Sequence, residues 1–136
     1  MEIQHAIDFV QQHHHAVLAT YREDGGVQMS PVIVGVTETG HIAMSTRETA
    51  FKTKNLRRNQ KATLCVFTND FFGKWLQIEV TAQIISLPEA MDGLVDYYTR
   101  VVGEHPDWND YRAAMQREQR VLVRFDVQHV GPDRQG

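Results

Sequence analysis

Apolar residues recur along this chain with two periods, and the places where the period changes mark its elements. After the opening methionine, Ile3, Ala6, Ile7 and Val10 follow helical spacing and predict a short amphipathic helix ending near His13, His14 and His15. AVLATYR (16–22) and VQMSPVIVGV (27–36), joined through Glu23-Asp24-Gly25-Gly26, predict a β-hairpin. Thr39-Gly40 turns the chain into a third short strand, HIAMST (41–46). Residues 49–60 do not alternate, and their composition predicts a helix that stops near Asn59. Two strands follow, 61–68 and 74–87, around an Asn-Asp-Phe-Phe-Gly loop. The second is the most regular: Leu76, Ile78, Val80, Ala82 and Ile84 fall on one face, and Trp75, Gln77, Glu79, Thr81 and Gln83 on the other. Ser86-Leu87-Pro88-Glu89 has the spacing of a capping box, opening a helix that presents Met91, Leu94, Val95, Tyr98 and Val102 and ends at Gly103. A second helix starts near Pro106 or Asp107, with Trp108, Tyr111, Ala114 and Met115 along one side. RVLVRFDVQHV (120–130) alternates again, and the tail from Gly131 reads as frayed.

Long strands joined by hairpins, without regular β-α-β alternation, predict a mainly β, α+β fold: a mostly antiparallel sheet closed into a small barrel with flanking helices. The 136 residues suit one domain. Neither the glycine fingerprint of dinucleotide-binding folds nor a P-loop occurs. No apolar run approaches the ~20 residues of a membrane helix, and the first residues lack the pattern of a signal peptide, which points to a cytoplasmic protein. One cysteine, Cys65, leaves no internal disulfide framework and no multi-cysteine metal site.

Charge sharpens the picture. The net value is −3, but residues 47–61 hold six basic side chains (Arg47, Lys52, Lys54, Arg57, Arg58, Lys61) against Glu48 alone. The rest of the chain is correspondingly acidic, which disfavours nucleic acid as a partner, as does the separation of the aromatics from the basic stretch.

That stretch also carries the densest candidate chemistry. A strand ends in two hydroxyl residues, Ser45 and Thr46, and a helix starts a few residues later, so its free N–H groups and positive dipole end offer an anion site. Lys52 lies in the first turns and Asn55 projects from the same face. These residues suit a phosphate, while their spacing alone equally describes a solvated basic helix. Elsewhere, the three adjacent histidines have no carboxylate or thiolate beside them, and Cys65 sits mid-strand as a packing residue. Trp108 and Tyr111 have core spacing, His105 lies in a turn, and Glu79 is either a pocket acid or an exposed strand residue. There is no Ser-His-Asp set or carboxylate pair that singles out a protein nucleophile or acid–base couple.

Lys52-Thr53-Lys54-Asn55-Leu56-Arg57-Arg58-Asn59 resembles the Lys-x-x-Asn-Leu-Arg-Arg-Asp motif of the pyridoxamine-5′-phosphate-oxidase-like split β-barrel proteins, and most of all the actinobacterial branch that uses the deazaflavin coenzyme F420. The similarity extends to Val17-Leu18-Ala19-Thr20, to Gln28-Met29-Ser30, and to residues 102–112, which resemble that branch's Gly-Glu-His-x-Asp-Trp-x-Asp-Tyr-Arg segment; it covers residues 5–130. The resemblance implies a six-stranded split barrel that forms a homodimer with a cofactor groove between subunits. It implies that Ser45, Thr46, Lys52 and Asn55 hold the cofactor phosphate, that the ring lies near Gln28, Ser30 and Val32, and that Trp75 and Gln77 reach in from the partner subunit. It also implies an F420-dependent reductase passing hydride to a small conjugated molecule, with a hydroxyl such as that of Tyr21, or solvent, supplying the proton. The alternatives it leaves are a flavoprotein using FMN in the same groove and a non-catalytic flavin or deazaflavin carrier. Two positions depart from the pattern: Pro31 stands where an asparagine is usual, and Ala50 where many members have arginine, with Arg47 and Lys54 as nearby cations.

Overall fold

The computed structural model describes residues 1–136. In chain order the elements are α1 (Ile3–Gln12), β1 (His15–Tyr21), β2 (Val27–Ile33), β3 (Gly35–Val36), β4 (Ile42–Arg47), α2 (Phe51–Arg58), β5 (Lys61–Phe67), β6 (Lys74–Ile85), α3 (Met91–Val101), α4 (Trp108–Arg117) and β7 (Arg120–Gln135). All seven strands form one antiparallel sheet in the order β2-β1-β5-β6-β7-β4-β3. No helix is long and apolar enough to cross a membrane.

Three expectations need correction, the last of them the cap expected at Ser86. The strand predicted over 27–36 is two strands, which makes seven rather than six. The chain breaks at Val34, whose N–H donates to the His14 carbonyl (2.8 Å) while His14 Nδ1 donates to the Val34 carbonyl (2.8 Å). One residue later Gly35 is in register with Ala43 of β4. β2 and β3 are thus opposite edges of the sheet linked by one residue. A residue spans only about 3.3 Å, so the sheet must curl until its edges nearly meet, and because no ladder joins β2 to β3 or β4 the barrel stays split there. The sequence Val32-Ile33-Val34 is apolar without interruption and carries no sign of this break.

The second correction concerns the tail. Residues 131–135 continue β7, with Lys74 opposite Gln135 and Leu76 opposite Asp133. Gly131-Pro132 reads as a breaker, but it sits where the β6–β7 register shifts between Leu76 and Ile78, and Gly131 takes φ +123° there.

Leu76, Ile78, Val80 and Ala82 of β6 are buried as the alternation predicts, with Ile84 half-buried, and with Leu18, Leu64, Val123 and Phe125 they fill the barrel, capped by Ala6 and Val10 of α1 and Leu56 of α2. A smaller core lies on the outer side of β4 and β7, where Ala43 and Leu122 meet Leu94 of α3 and Tyr111 and Met115 of α4. α3 approaches closely: a Cβ on Gly35 would stand 2.6 Å from Val101 Cγ2. Ser86 does not cap α3, which opens after Ala90; its Oγ instead accepts from Arg57. Asp107 does cap α4, accepting the Asp110 N–H at 3.2 Å. Past α3, Gly103 takes φ +109°, which relieves the turn into the α4 segment.

Candidate functional site

A cavity of about 990 Å³ opens where the barrel is split. One wall is the β1–β2 end, with His15, Pro31, Val32 and Ile33, joined by Phe67 of β5. The second is the end of β4 and the entry to α2, with Ser45, Thr46, Arg47, Ala50 and Lys52. The third is helical and largely aromatic, with Tyr97 and Tyr98 of α3, His105, and Asp110, Tyr111 and Met115 of α4. Glu118, which ends α4, and Arg120, which opens β7, complete the lining.

The β4–α2 wall is cationic. α2 opens at Ala50 with no side-chain cap, so its first N–H groups and positive end face the cavity without a resident acceptor side chain. Lys52 has no anionic partner. Arg47 and Arg120 are opposite one another across β4 and β7, and both bind Glu118 Oε1, Arg47 at 3.2 Å and Arg120 through Nε and Nη2 at 3.0 and 2.8 Å. Those hydrogen bonds, Arg120's above all, hold the Glu118 carboxyl below the usual range. Of the nearby cations, Arg47 therefore lies in the cavity wall beside Ala50, whereas Lys54 leans over the Phe51 ring (5.9 Å).

The basic stretch is otherwise engaged in holding α2 in place. Arg57 binds Glu48 and Ser86, raising its own pKa and lowering that of Glu48. Arg58 donates to the Tyr21 carbonyl (2.6 Å) and to Asn55 Oδ1 (3.2 Å). Arg57 and Arg58 of the positive stretch 47–61 thus serve the fold, and Lys52 is the cavity lysine left free.

The residues expected from the sequence separate into three groups. Val32, Ser45, Thr46 and Lys52 meet at the cavity. Gln28, Ser30 and Asn55 lie behind it: Asn55 Nδ2 donates to Thr20 Oγ1 (3.1 Å), and Thr20 Oγ1 in turn donates to Gln28 Oε1 (3.3 Å). Ser30, opposite Leu18 and so on the inward face of β2, has a buried hydroxyl with no partner. Trp75 and Gln77 lie on the outer face of the sheet, away from this chain's cavity. Trp75 is nonetheless in line with cavity residues, since the register runs Ile33, His15, Phe67, Trp75 across four strands; the next outward row is Pro31, Val17, Cys65, Gln77. Pro31 sits on an edge strand, where its missing N–H leaves no second ladder unpaired.

Other candidates settle by position. His13 packs on Phe9, His14 bonds Val34 and His15 faces Phe67, so the three rings diverge. Burial pushes the Cys65 thiol up, consistent with packing. Tyr21 and Glu79 are exposed and away from the cavity. Sequence reasoning missed Tyr97, Glu118 and Arg120. Arg120 had one legible signal, as it opens a strand two residues after a glutamate. Burial pushes the hydroxyls of Tyr97 and Tyr111 up to about 12. Both are donors: Tyr97 to the Ile33 carbonyl (2.7 Å) and Tyr111 to the Leu94 carbonyl (2.9 Å).

The fold is shared with several solved structures. The conserved hypothetical protein Rv2991 from Mycobacterium tuberculosis aligns with a TM-score of 0.76 at 24% identity, over 96% of this chain and 82% of that one. A protein described as an F420 reductase aligns with a TM-score of 0.70 at 17% identity, over 91% and 94%. General Stress Protein 26 from Bacillus anthracis aligns with a TM-score of 0.65 at 13% identity, over the whole of both chains. At these identities the likeness is one of fold. The family model described as pyridoxamine 5′-phosphate oxidase matches residues 3–132, nearly the whole chain, and this protein therefore belongs to that family of flavin-binding oxidoreductases.

Proposed function

We propose that the protein is a deazaflavin-dependent reductase that binds coenzyme F420 by its phosphate at the β4–α2 wall and reduces a small conjugated organic molecule. The observation that carries the reading is the polarity of the cavity: an uncapped helix start with two hydroxyls and free Lys52 at one end, and an aromatic wall at the other. The residues present fit such a group. An unpartnered buried hydroxyl, Ser30, also stands on β2, where the resemblance puts the ring. When bound, the cofactor supplies the hydride, and the chain's part is to hold, orient and keep out water. Ser45, Thr46 and Lys52 grip the phosphate, and Arg47 stands in for the cation missing at Ala50. Gln28 and Asn55, joined through Thr20, fix β2 relative to α2. The similarity to an F420 reductase supports the cofactor assignment.

A homodimer belongs to the same proposal. Met29 and Ile33 are exposed on the outer face, and the Ile33 row leads from the cavity rim to Trp75. A second copy against this face would bring its own Trp75 and Gln77 to the rim. Titration with F420 and with FMN, followed by fluorescence, tests the cofactor: tight binding of FMN with none of the deazaflavin overturns the assignment in favour of a flavoprotein. Oxidation of reduced F420 with a panel of enones and quinones tests catalysis, and absence of turnover with every acceptor points to a carrier. A monomeric mass at micromolar concentration contradicts the shared groove.

A further inference from the structure

The helical wall contains a donor pair that none of the foregoing roles uses. Of the three tyrosines lining the cavity, two have their hydroxyls committed, Tyr97 to Ile33 and Tyr111 to Leu94. Tyr98 Oη bonds nothing in the chain. His105 lies beside it, ring centroids 5.2 Å apart, and its Nδ1 accepts the Asp107 N–H at 2.9 Å. The neutral ring therefore carries its proton on Nε2. Nε2 has no partner either. The buried polar side-chain atoms without partners are Ser30 Oγ and Arg124 Nε alone, so the tips of Tyr98 and His105 are accessible rather than enclosed. Both side chains are held by packing: His105 against Tyr111 (5.5 Å) and Trp108 (5.7 Å), and Tyr98 edge-on to Trp108 (5.9 Å). The cap that Asp107 places on α4 fixes the same turn.

We propose that Tyr98 Oη–H and His105 Nε2–H form the subsite for the oxygen of a neutral, flat acceptor, a conjugated ketone or quinone, which rests on the reductase reading above. The charges select this class. The acids on this wall, Asp110 and Glu118, repel a carboxylate, Glu118 already binding Arg47 and Arg120, whereas the free cation, Lys52, is at the β4–α2 end. The aromatic faces suit a planar ring, and the two donors suit an oxygen that gains charge during reduction. In that step the acceptor gains a hydride at the carbon conjugated to the oxygen and a proton from water, two electrons in all, drawn from the reduced deazaflavin. Tyr98 and His105 neither give up nor take a proton; they bind the oxygen.

The test is equilibrium binding of α-tetralone, an aromatic ketone, and of tetralin, the same skeleton without the oxygen, by calorimetry on the full-length protein with no reduced cofactor. Wild type should prefer the ketone. Tyr98→Phe should lose about three- to ten-fold of ketone affinity and leave tetralin unchanged, the size of one neutral hydrogen bond. His105→Phe should do the same, and His105→Gln, which keeps a donor, should restore most of it. Equal binding of the two probes by wild type, or equal losses for both in the variants, overturns the subsite and makes the pair packing residues. Because no hydride moves in this assay, a retained ketone preference without turnover counts against the reductase reading alone.

Discussion

Asn55 and Lys52 lie three residues apart on one helix, within a motif that the family resemblance assigns to phosphate, and the structure gives them different surroundings. Asn55 is buried. Its Nδ2 donates to Thr20 Oγ1, which is itself fully buried, and its Oδ1 accepts from Arg58. Asn55→Ala leaves the Thr20 oxygen without its donor, a cost of about 1–3 kcal/mol for an unsatisfied buried group. Alanine returns roughly 0.5 kcal/mol as the better helix former. The net loss of about 0.5–2.5 kcal/mol translates, at roughly 2.1 cal/mol/K per residue over the whole chain, into a fall in Tm of about 2–9 °C. Lys52→Ala removes a side chain with no partner in the chain, so Tm should stay within about 2 °C. Its effect should appear in cofactor binding instead, weakened by about 1–3 kcal/mol as a charge-assisted contact is lost. The assays are thermal unfolding by circular dichroism at one fixed protein concentration and a fluorescence titration with F420. An Asn55→Ala protein with wild-type Tm and the same affinity loss as Lys52→Ala would refute the argument, for it would place Asn55 on the ligand.

Further outcomes follow from the packing and the charges. Gly35→Ala should cost about 1–3 kcal/mol by overpacking against Val101 and lower Tm measurably; an unchanged Tm would mean that α3 can shift away from β3 freely. Glu118→Gln should strengthen phosphate binding, measured by calorimetry, by about 0.5–1 kcal/mol, since it removes the carboxylate that Arg47 and Arg120 share. The same variant should flatten the acid limb of stability: the folded carboxyl is held below its usual range, so its contribution is present above that range and lost as pH falls through it. In alkali the sign reverses. Tyr97 and Tyr111 ionise near 12 in the folded chain and near 10 unfolded, so stability should fall as pH rises from 10 to about 12, by up to about 1.4 kcal/mol per pH unit for each. Absorbance titration should show Tyr97 and Tyr111 ionising late.

What the sequence made legible was the periodic part of the fold. The β6 alternation, the helix over the basic motif and the Asp107 start of α4 need only local pattern, and each is found near its expected place. The break at Val34 was not legible, because its cause is the sheet closing on itself and not the chemistry of Val34. The tail was not legible because Gly131-Pro132 has the composition of an ending but sits in a bulge supported by β6. The site divides the same way. Ser45, Thr46 and Lys52 are close in sequence and were found together; Tyr97, Glu118 and Arg120 join them from more distant elements, α3, the end of α4 and β7, and no spacing rule connects such positions.

The same one-residue link that hides in the sequence also explains why the cavity is where it is. A barrel whose edges paired would close β2 onto β4 and leave no opening between them. Here the last carbonyl of β2, that of Ile33, is satisfied by the Tyr97 hydroxyl, so a side chain from α3 takes the place of a neighbouring strand and props the edges apart. The proton stays on that hydroxyl until about pH 12, and the prop is therefore constant over any physiological range. Tyr97→Phe removes it while keeping the ring. The Ile33 carbonyl must then find water, and the cavity wall loses its anchor to β2. Stability should fall by about 0.5–1.5 kcal/mol, and ligand bound between β2 and β4 should recover part of that loss by mass action, since it bridges the same gap. A Tyr97→Phe protein with wild-type Tm, and with the wild-type increment in Tm on adding F420, would show that the split is held open by the backbone alone.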